Sequence, residues 1–141
     1  MIVKFYDQVE DEKLKFAVIA ARAEGKWVFC KHKARTTFEM PGGHREQGEP
    51  ILDTARRELQ EETGATAFDL QSVCVYSVTD PDNFDGAETY GLLCAAQVHA
   101  FGPIDSEMEK IVLTADLPTQ WTYPQIQPKL LAELERRGVI Q

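Results

Sequence analysis

The sequence predicts an α/β fold in which helices cover both faces of a mixed β-sheet. Strand-type apolar runs occur along the chain and alternate with two amphipathic helical segments, with no linker between them. A chain of 141 residues suits one domain that buries its own core. Helices on both faces of a sheet form a three-layer α/β/α sandwich, and we expect residues 1–141 to form one such domain.

Three strands are predicted near the start of the chain. They cover Ile2 to Tyr6, Leu14 to Ala23 and Trp27 to Lys31. The last two pair through a turn at Glu24-Gly25-Lys26, because glycine accepts the backbone angles of a tight turn. Pro41-Gly42-Gly43 then predicts a loop, since proline and glycine interrupt regular structure.

The second half of the chain predicts three more strands and a last helix. The strands cover Leu70 to Thr79, Thr89 to Ala100 and Lys110 to Thr114, and an Asp-, Pro- and Gly-rich loop separates the first two. The helix begins at Pro124 or Pro128 and ends near Arg137, with Gly138 as its stop and Leu130, Leu131 and Leu134 facing inward.

A further helix is predicted between Pro50 and Gly64. Proline suits the first helical position, where an N–H would have no partner, and glycine supplies the left-handed residue that ends a helix. At about 100° per residue, one apolar stripe contains Ile51, Leu52, Ala55 and Leu59. The carboxylates of Glu58, Glu61 and Glu62 flank or enter this stripe and avoid the side that faces solvent.

This placement of three acids favours a cation site over a solvated surface. Glu58 has like-charged neighbours three and four positions later, and each such pair costs about 0.2–0.5 kcal/mol. Partial burial increases both the repulsion and the desolvation cost. A divalent cation offsets these costs. Mg²⁺ suits the acids because it takes one or two carboxylates and completes its shell with water and phosphate oxygens, and Mn²⁺ fits the same donors.

The same segment carries a family resemblance. Residues Gly43 to Ala65 read GHREQGEPILDTARRELQEETGA and resemble the signature box of the Nudix hydrolases, G-x5-E-x7-R-E-U-x-E-E-x-G-U, where U is apolar. Every specified position is filled. The preceding Phe38 to Gly43 resembles the aromatic-Glu-aromatic-Pro-Gly-Gly segment of that family, although Met40 replaces an aromatic residue. The resemblance implies a Nudix-type α/β/α sandwich in a single domain with its box at residues 43–65.

The resemblance also implies Mg²⁺-dependent hydrolysis of a nucleoside diphosphate linked to another group. The residues that it assigns to catalysis and metal binding are Glu49, Arg57, Glu58, Glu61 and Glu62, with the main-chain carbonyl of Gly43 as a further ligand. The last three glutamates would bind metal directly or through water, while Arg57 and Glu49 would orient them. The alternative for Arg57 is a surface ion pair with Glu61, which contributes little.

The general base stays open, because family members use either a box glutamate or a carboxylate on a downstream loop. The candidates are Glu88, Glu107 and Glu109. Glu107 and Glu109 come first, since they precede a strand expected to end near the metal. For each candidate, the alternative is a solvated loop charge. The three histidines lack metal-ligand spacing, and we predict no catalytic role for them.

Substrate selection lies outside the box. Members of the MutT-like branch hydrolyse nucleoside triphosphates, including oxidised purine nucleotides such as 8-oxo-dGTP, to a monophosphate and pyrophosphate. The short chain resembles that branch, which places base-contacting residues where this chain has Leu117 to Pro124. Within that segment, Trp121 and Tyr123 can stack on a base and Gln120 can form a hydrogen bond to it. The alternative is that these aromatic residues only pack.

Three functions are compatible with these patterns. The first is a nucleoside triphosphate pyrophosphohydrolase. The second is a hydrolase of another nucleoside diphosphate derivative, such as ADP-ribose, a nucleotide sugar or an RNA 5′ end. The third is a nucleotide-binding regulator that has lost catalysis, and the intact acids Glu58, Glu61 and Glu62 argue against it.

Composition limits the classes of binding partner and the cellular compartment that we expect. A net charge of −8 argues against sequence-independent binding to nucleic acid, although a small nucleotide can bind through metal. Cys30, Cys74 and Cys94 lie in apolar runs and predict buried free thiols in a reducing cytoplasm. The first residues lack the pattern of a signal peptide, and no apolar run approaches the roughly 18 residues of a membrane span. We expect a cytoplasmic protein. The sequence does not predict its oligomeric state.

Overall fold

The structure is a computed structural model that describes residues 1–82, 84–104 and 108–140, without the side chains of Phe84 and Glu109. Its regular elements are β1 (Ile2–Tyr6), β2 (Leu14–Ala23), β3 (Lys26–His32), β4 (Gly42–His44), α1 (Ile51–Thr63), β5 (Ala65–Thr79), β6 (Glu88–Phe101), β7 (Met108–Thr114) and α2 (Gln127–Arg136). Short 3₁₀ helices cover Asp11–Lys13 and Phe84–Gly86.

The strands form one mixed sheet between two helices. Their order is β1-β5-β6-β2-β3-β7, with β4 paired to β2. The β2–β6 pair is parallel, and the other pairs are antiparallel. α1 packs on one face through Ala55 and Leu59, and α2 packs on the other through Leu130 and Leu134. The predicted α/β/α sandwich is therefore confirmed.

The glycine that ends α1 sets the start of the next strand. Gly64 has a φ of 76°, and its N–H donates to the carbonyl of Gln60 at 2.9 Å. β5 then begins at Ala65 instead of at the predicted Leu70. Residues 65–69 have a weak strand pattern because several of them are exposed. They are held instead by backbone pairing with the end of β6.

A short segment that follows β3 in the chain departs from the prediction. Pro41-Gly42-Gly43 was expected to be a loop, but Gly42 and Gly43 belong to β4 and pair with Val18 and Ala17 of β2. β2 pairs with β3 only near their shared turn, and β4 fills the gap where the two strands separate. Hydrogen bonds to a distant strand outweigh the local preference of glycine for a loop, and they bring this segment beside α1.

Leu52, which the apolar stripe of α1 was predicted to bury, is 36% exposed, so the buried side of this helix is narrower than predicted. The ends of α2 and the state of the cysteines agree with the predictions. α2 begins near the second proposed proline, with Pro128 in its first turn. Cys30, Cys74 and Cys94 are buried free thiols. In the described ranges, no helix is long and apolar enough to cross a membrane.

Candidate active site

Two glycines bring β4 into close contact with its neighbours. A Cβ atom added to Gly42 would lie 2.4 Å from the carbonyl oxygen of Ala17. A Cβ atom added to Gly43 would lie 2.4 Å from the Cδ atom of Glu58 and 2.6 Å from each of its carboxylate oxygens. A larger residue at position 43 would therefore displace this carboxylate. The double glycine allows an acid of α1 to lie directly against the main chain of β4.

Glu62 binds the same segment from the next turn of the helix. Its Oε1 accepts a hydrogen bond from the N–H of Gly42 at 2.8 Å. Burial raises the pKa of Glu62 to about 8, and the nearby charges of Glu58, Glu39 and Glu61 also raise it. The Gly42 N–H opposes the shift without cancelling it. Glu62 is thus a carboxyl group whose charge is costly in the protein alone.

The other two helix acids differ in exposure. The pKa of Glu58 is raised, mainly by burial, although Arg57 opposes the rise with a hydrogen bond of 2.8 Å. The side chain of Glu61 is 50% exposed and lies 3.4 Å from Arg57. Glu58 and Glu62 line the cavity described below, whereas Glu61 is not among the described residues that line it.

Arg57 connects the start of α1 to the acids. Its Nε donates to Oε2 of Glu49 at 2.8 Å, and its Nη2 donates to Oε1 of Glu49 at 3.0 Å. Nη2 also donates to the carbonyl of His44 at 3.0 Å. These contacts lower the pKa of Glu49 to about 2, with help from a hydrogen bond from Thr54. Arg57 is thus part of a network, in contrast to the alternative of a simple pair with Glu61.

The donor set indicates which metal the residues fit. Within the described residues, no three His, Cys, Asp or Glu side chains are already grouped to hold an ion. Glu58 and Glu62 nevertheless offer carboxylate oxygens beside the main chain of Gly43, which has no side chain to exclude a ligand. Mg²⁺ needs only one or two carboxylates, because water and phosphate oxygens complete its shell. These residues fit such a site, and they do not form a closed cage of the zinc type.

A cavity of about 850 Å³ opens beside the acids. Glu58, Glu62 and the two glycines line one end of it, and Met40, Tyr76, Tyr123 and Gln127 line another part. The cavity is within the usual size range of small-molecule sites. Its acidic end and its largely apolar part suit a ligand with a charged group and an aromatic or apolar group.

The residues predicted to contact a base are separated in the structure. Tyr123 lines the cavity and is 40% exposed. Trp121 packs edge-on against Phe29 with ring centroids 5.4 Å apart. Gln120 is exposed, and its main-chain carbonyl accepts a hydrogen bond from Phe38 at 2.9 Å. Neither Gln120 nor Trp121 is among the described residues that line the cavity.

Other cavity residues were missed by the sequence reasoning. Gln127 is the first residue of α2, and Tyr76 lies within the apolar run of β5, where its sequence context indicates only core packing. Arg35 and Glu39 also line the cavity and form an ion pair at 3.1 Å. The position of Gln127 beside the proline of a predicted helix indicates that it lies at a helix start. Its local sequence does not indicate that it faces a ligand.

Of the candidate general bases, Glu88 is not among the described residues that line the cavity. Its carboxylate accepts hydrogen bonds from Tyr6 at 2.6 Å, Ser77 at 2.5 Å and Tyr90 at 2.7 Å. These bonds lower its pKa to about 2. A carboxylate held by three hydroxyl groups is a weak base, so its position favours a structural role. Glu107 and the side chain of Glu109 lie outside the described residues.

Comparison with known proteins places this site in a family. The NUDIX domain model matches residues 11–134. The chain therefore belongs to the NUDIX family.

Two relatives illustrate the range of the family. A protein of Bacillus subtilis (strain 168) named provisionally as an 8-oxo-dGTP diphosphatase, YtkD, is 36% identical over 76 residues, which is 54% of this chain and 48% of that protein. An ADP-ribose pyrophosphatase of the same organism is 44% identical over 64 residues, covering 43% of this chain and 35% of the relative. The chain thus spans about half or less of the curated relatives it matches.

The fold comparison covers more of the chain. A crystal structure of a variant of the Bacillus subtilis pyrophosphohydrolase BsRppH superposes with a TM-score of 0.79, at 24% identity, over 99% of this chain and 93% of that chain. At this identity, the likeness shows a shared fold. It extends from the first strand to the last helix.

Proposed function

We propose that this chain is a Mg²⁺-dependent pyrophosphohydrolase that cleaves a nucleoside triphosphate to a monophosphate and pyrophosphate. One observation carries the proposal. The carboxylates of Glu58 and Glu62 lie against the Gly42-Gly43 segment at one end of a cavity of about 850 Å³. Their burial is costly unless a cation is present, and a nucleotide brings both the phosphates that such a cation binds and a base for the rest of the cavity.

The residues have separate roles in this proposal. Glu58, Glu61 and Glu62, with the carbonyl of Gly43, would hold the cation. A bound divalent cation neutralises phosphate oxygens and lowers the pKa of a bound water. Arg57 fixes Glu58 directly through its Nη1 hydrogen bond, and it is itself fixed by Glu49. Arg57 and Glu49 therefore act on the reaction by orienting an acid.

An aromatic side chain in the cavity lining supports a nucleoside as the other part of the substrate. Tyr123 offers a partly exposed ring at the cavity, with the guanidinium of Arg35 5.8 Å from the ring centroid and Arg35 Nη1 3.4 Å from its hydroxyl. These contacts restrict the motion of the ring. A base stacked on an aromatic side chain gains roughly 1–3 kcal/mol. Tyr123 replaces Trp121 as the residue we expect to stack.

The relatives leave two substrate classes to compare. The likeness to YtkD supports an oxidised purine triphosphate such as 8-oxo-dGTP as one substrate of the proposed activity. The relative named as an ADP-ribose pyrophosphatase supports the alternative of a nucleoside diphosphate derivative. An RNA 5′ end belongs to the same group of alternatives. A regulator without catalysis is the third candidate. A cytoplasmic location and a single domain complete the proposal.

Product analysis separates these functions. The protein is incubated with Mg²⁺ and a panel that contains nucleoside triphosphates, 8-oxo-dGTP, ADP-ribose, a nucleotide sugar and a 5′-triphosphorylated RNA. Pyrophosphate with a nucleoside monophosphate is the expected product pair. Sugar phosphate with a monophosphate would instead support the alternative substrates. Binding without hydrolysis of any panel member would support the regulator.

A further inference from the structure

Positive side chains are few in the cavity that we propose binds a nucleotide. Its described lining includes five carboxylates but only three arginines, Arg35, Arg45 and Arg57, and no lysine. Arginine suits a phosphate group, because two of its parallel N–H groups match two phosphate oxygens. An arginine can bind a ligand in this way only if those N–H groups are not already used within the protein.

Two of the three arginines are fully engaged by the protein itself. Arg57 donates from Nε and Nη2 to Glu49 and from Nη1 to Glu58. Arg45 donates from Nε to the main-chain carbonyl of Glu49 at 2.6 Å, and from Nη1 and Nη2 to the carbonyl and the carboxylate of Asp11, both at 2.8 Å. Neither arginine can turn to a ligand without breaking bonds that hold the site together.

Arg35 differs because only one of its nitrogens is engaged. Among the described residues, Nη1 is bonded to Oε1 of Glu39 at 3.1 Å and to the hydroxyl of Tyr123 at 3.4 Å. Nε and Nη2 have no partner there, and the side chain is 43% exposed. These two nitrogens carry the parallel N–H groups that bind two oxygens of one phosphate. Arg35 is therefore the cavity arginine with this pair of donors available to a ligand.

The partners of Arg35 place it between the acids and the aromatic ring. The main chain of Glu39 exchanges two hydrogen bonds with Cys30, at 2.8 and 3.0 Å. The thiol of Cys30 lies 3.6 Å from the carbonyl oxygen of Glu62. Glu39 thus lies on the side of the site that the acids of α1 occupy. Tyr123 is the ring that we expect to stack on a base, and Arg35 contacts both Glu39 and Tyr123.

The segment that carries Arg35 is fixed against the segment that carries Tyr123. Phe38 accepts a main-chain hydrogen bond from Thr122 at 2.9 Å. The hydroxyl oxygens of Thr37 and Thr122 are 2.7 Å apart. The two segments therefore form one wall of the cavity, and the guanidinium is held in place before a ligand arrives. Binding to a group that is already in place loses less conformational entropy.

We infer that Arg35 binds the α-phosphate of the nucleotide, the phosphate attached to the sugar, through Nε and Nη2. The inference rests on the proposed function only in that the cavity binds a nucleotide. With the base on Tyr123 and the metal-bound phosphates at the acids, the phosphate next to the sugar lies nearest to Arg35. Glu39 is a positioning residue, because it holds Nη1 and does not itself contact the phosphate.

Binding of products tests the inference without requiring hydrolysis. Calorimetry at constant ionic strength and saturating Mg²⁺ compares AMP, GMP, CMP and UMP with pyrophosphate. Competition against the best-bound monophosphate gives the affinity of its nucleoside, which reports stacking on Tyr123 alone. A monophosphate carries the α-phosphate, whereas the nucleoside and pyrophosphate do not.

The double variant Arg35→Gln, Glu39→Gln removes the guanidinium without leaving a buried carboxylate unpaired. We expect it to weaken binding of the best monophosphate on the order of tenfold or more, as for the loss of hydrogen bonds between charged groups. Nucleoside and pyrophosphate affinities should change by less than about threefold. Arg35→Lys keeps the charge without the parallel donors, and Glu39→Gln alone keeps an oxygen for Nη1. Both single variants should show smaller losses that are again confined to the monophosphate.

Arg56→Gln is the matched control. Arg56 is 50% exposed and pairs with Asp53 at 3.2 Å, which resembles the pair of Arg35 with Glu39, but it is not among the described residues that line the cavity. This variant removes the same charge and should leave all of the affinities unchanged.

The outcomes separate this inference from the proposed function. Equal losses for the monophosphate and its nucleoside would mean that Arg35 only holds the Tyr123 ring, and they would overturn the inference. So would a loss confined to pyrophosphate, an unchanged monophosphate affinity, or no binding of any monophosphate to the wild type. A loss confined to the monophosphate, in a protein that hydrolyses no triphosphate, would uphold the inference and contradict the proposed activity.

Discussion

Replacing Glu62 with glutamine should stabilise the metal-free protein at alkaline pH. The variant keeps an oxygen that can accept the Gly42 N–H bond and removes a buried negative charge beside Glu58. In the folded protein the pKa of Glu62 is raised from about 4.5 to about 8. Between these values the unfolded chain has released its proton and the folded chain still holds it. The wild type therefore loses stability as the pH rises through this window.

The size of the effect follows from the same pKa values. At about 1.4 kcal/mol for each pH unit between them, the ceiling is roughly 5 kcal/mol. Local relaxation and water entry reduce such costs, so we expect roughly 1–3 kcal/mol in practice. The free energy of unfolding of the wild type should fall by this amount between pH 5 and pH 8.5 in chelator. For Glu62→Gln, the fall should be smaller, and above pH 8 the variant should be the more stable protein.

Magnesium should reverse the order of stability. A ligand that binds only the folded state at 100 times its Kd adds about 2.7 kcal/mol, and Glu62→Gln should lose part of this gain. Urea or thermal unfolding of both proteins is measured at the two pH values, with chelator and with Mg²⁺. These experiments give the free energy of unfolding of each protein in each condition. A variant that is strongly destabilised in chelator at pH 8.5 would refute the reasoning. Glu62 would then be held by a structural partner beyond the Gly42 N–H.

Three further substitutions test separate parts of the site. Arg57→Lys cannot reproduce the two-point contact with Glu49, and it should lower kcat about 10–100-fold with a smaller effect on the melting temperature. Steady-state kinetics at saturating Mg²⁺ checks this. An unchanged kcat would mean that Arg57 forms only a surface ion pair. Gly43→Ala places a methyl group 2.4 Å from the Cδ position of Glu58, so activity and Mg²⁺ affinity should both fall steeply. Titration of activity with Mg²⁺ detects this. A titration curve equal to that of the wild type would show that Glu58 does not need this contact. Trp121→Ala removes a partly buried aromatic that packs against Phe29, and it should lower stability by roughly 1–3 kcal/mol without changing base preference. A shifted preference in the nucleotide panel would return Trp121 to the base site.

The local patterns of the sequence account for the elements that local forces control. Proline and glycine mark the ends of α1, because missing donors and left-handed residues act within one turn. Glu58 and Glu62 were placed beside the apolar stripe by helical periodicity alone. The structure agrees, since one lies against Gly43 and the other bonds to Gly42.

Features that depend on distant partners were not predictable in this way. β4 forms because β2 and β3 separate and leave a free edge, which no property of Gly42 or Gly43 reveals. Gln127 faces the cavity because the main chain of Met40 holds its oxygen, across 87 positions of sequence. Trp121 and Tyr123 looked equivalent in the sequence. Packing against Phe29 directs the first away from the cavity lining, while Tyr123 remains in it.

Metal-dependent cleavage is the central claim, and one measurement tests it most directly. Pyrophosphate release from nucleoside triphosphates is followed first after complete chelation, then after Mg²⁺ is restored, for the wild type and for Glu62→Gln of verified fold. We predict no release in chelator, full recovery in Mg²⁺ and a loss of orders of magnitude in the variant. Hydrolysis that persists in chelator, or a variant as active as the wild type, would contradict the account.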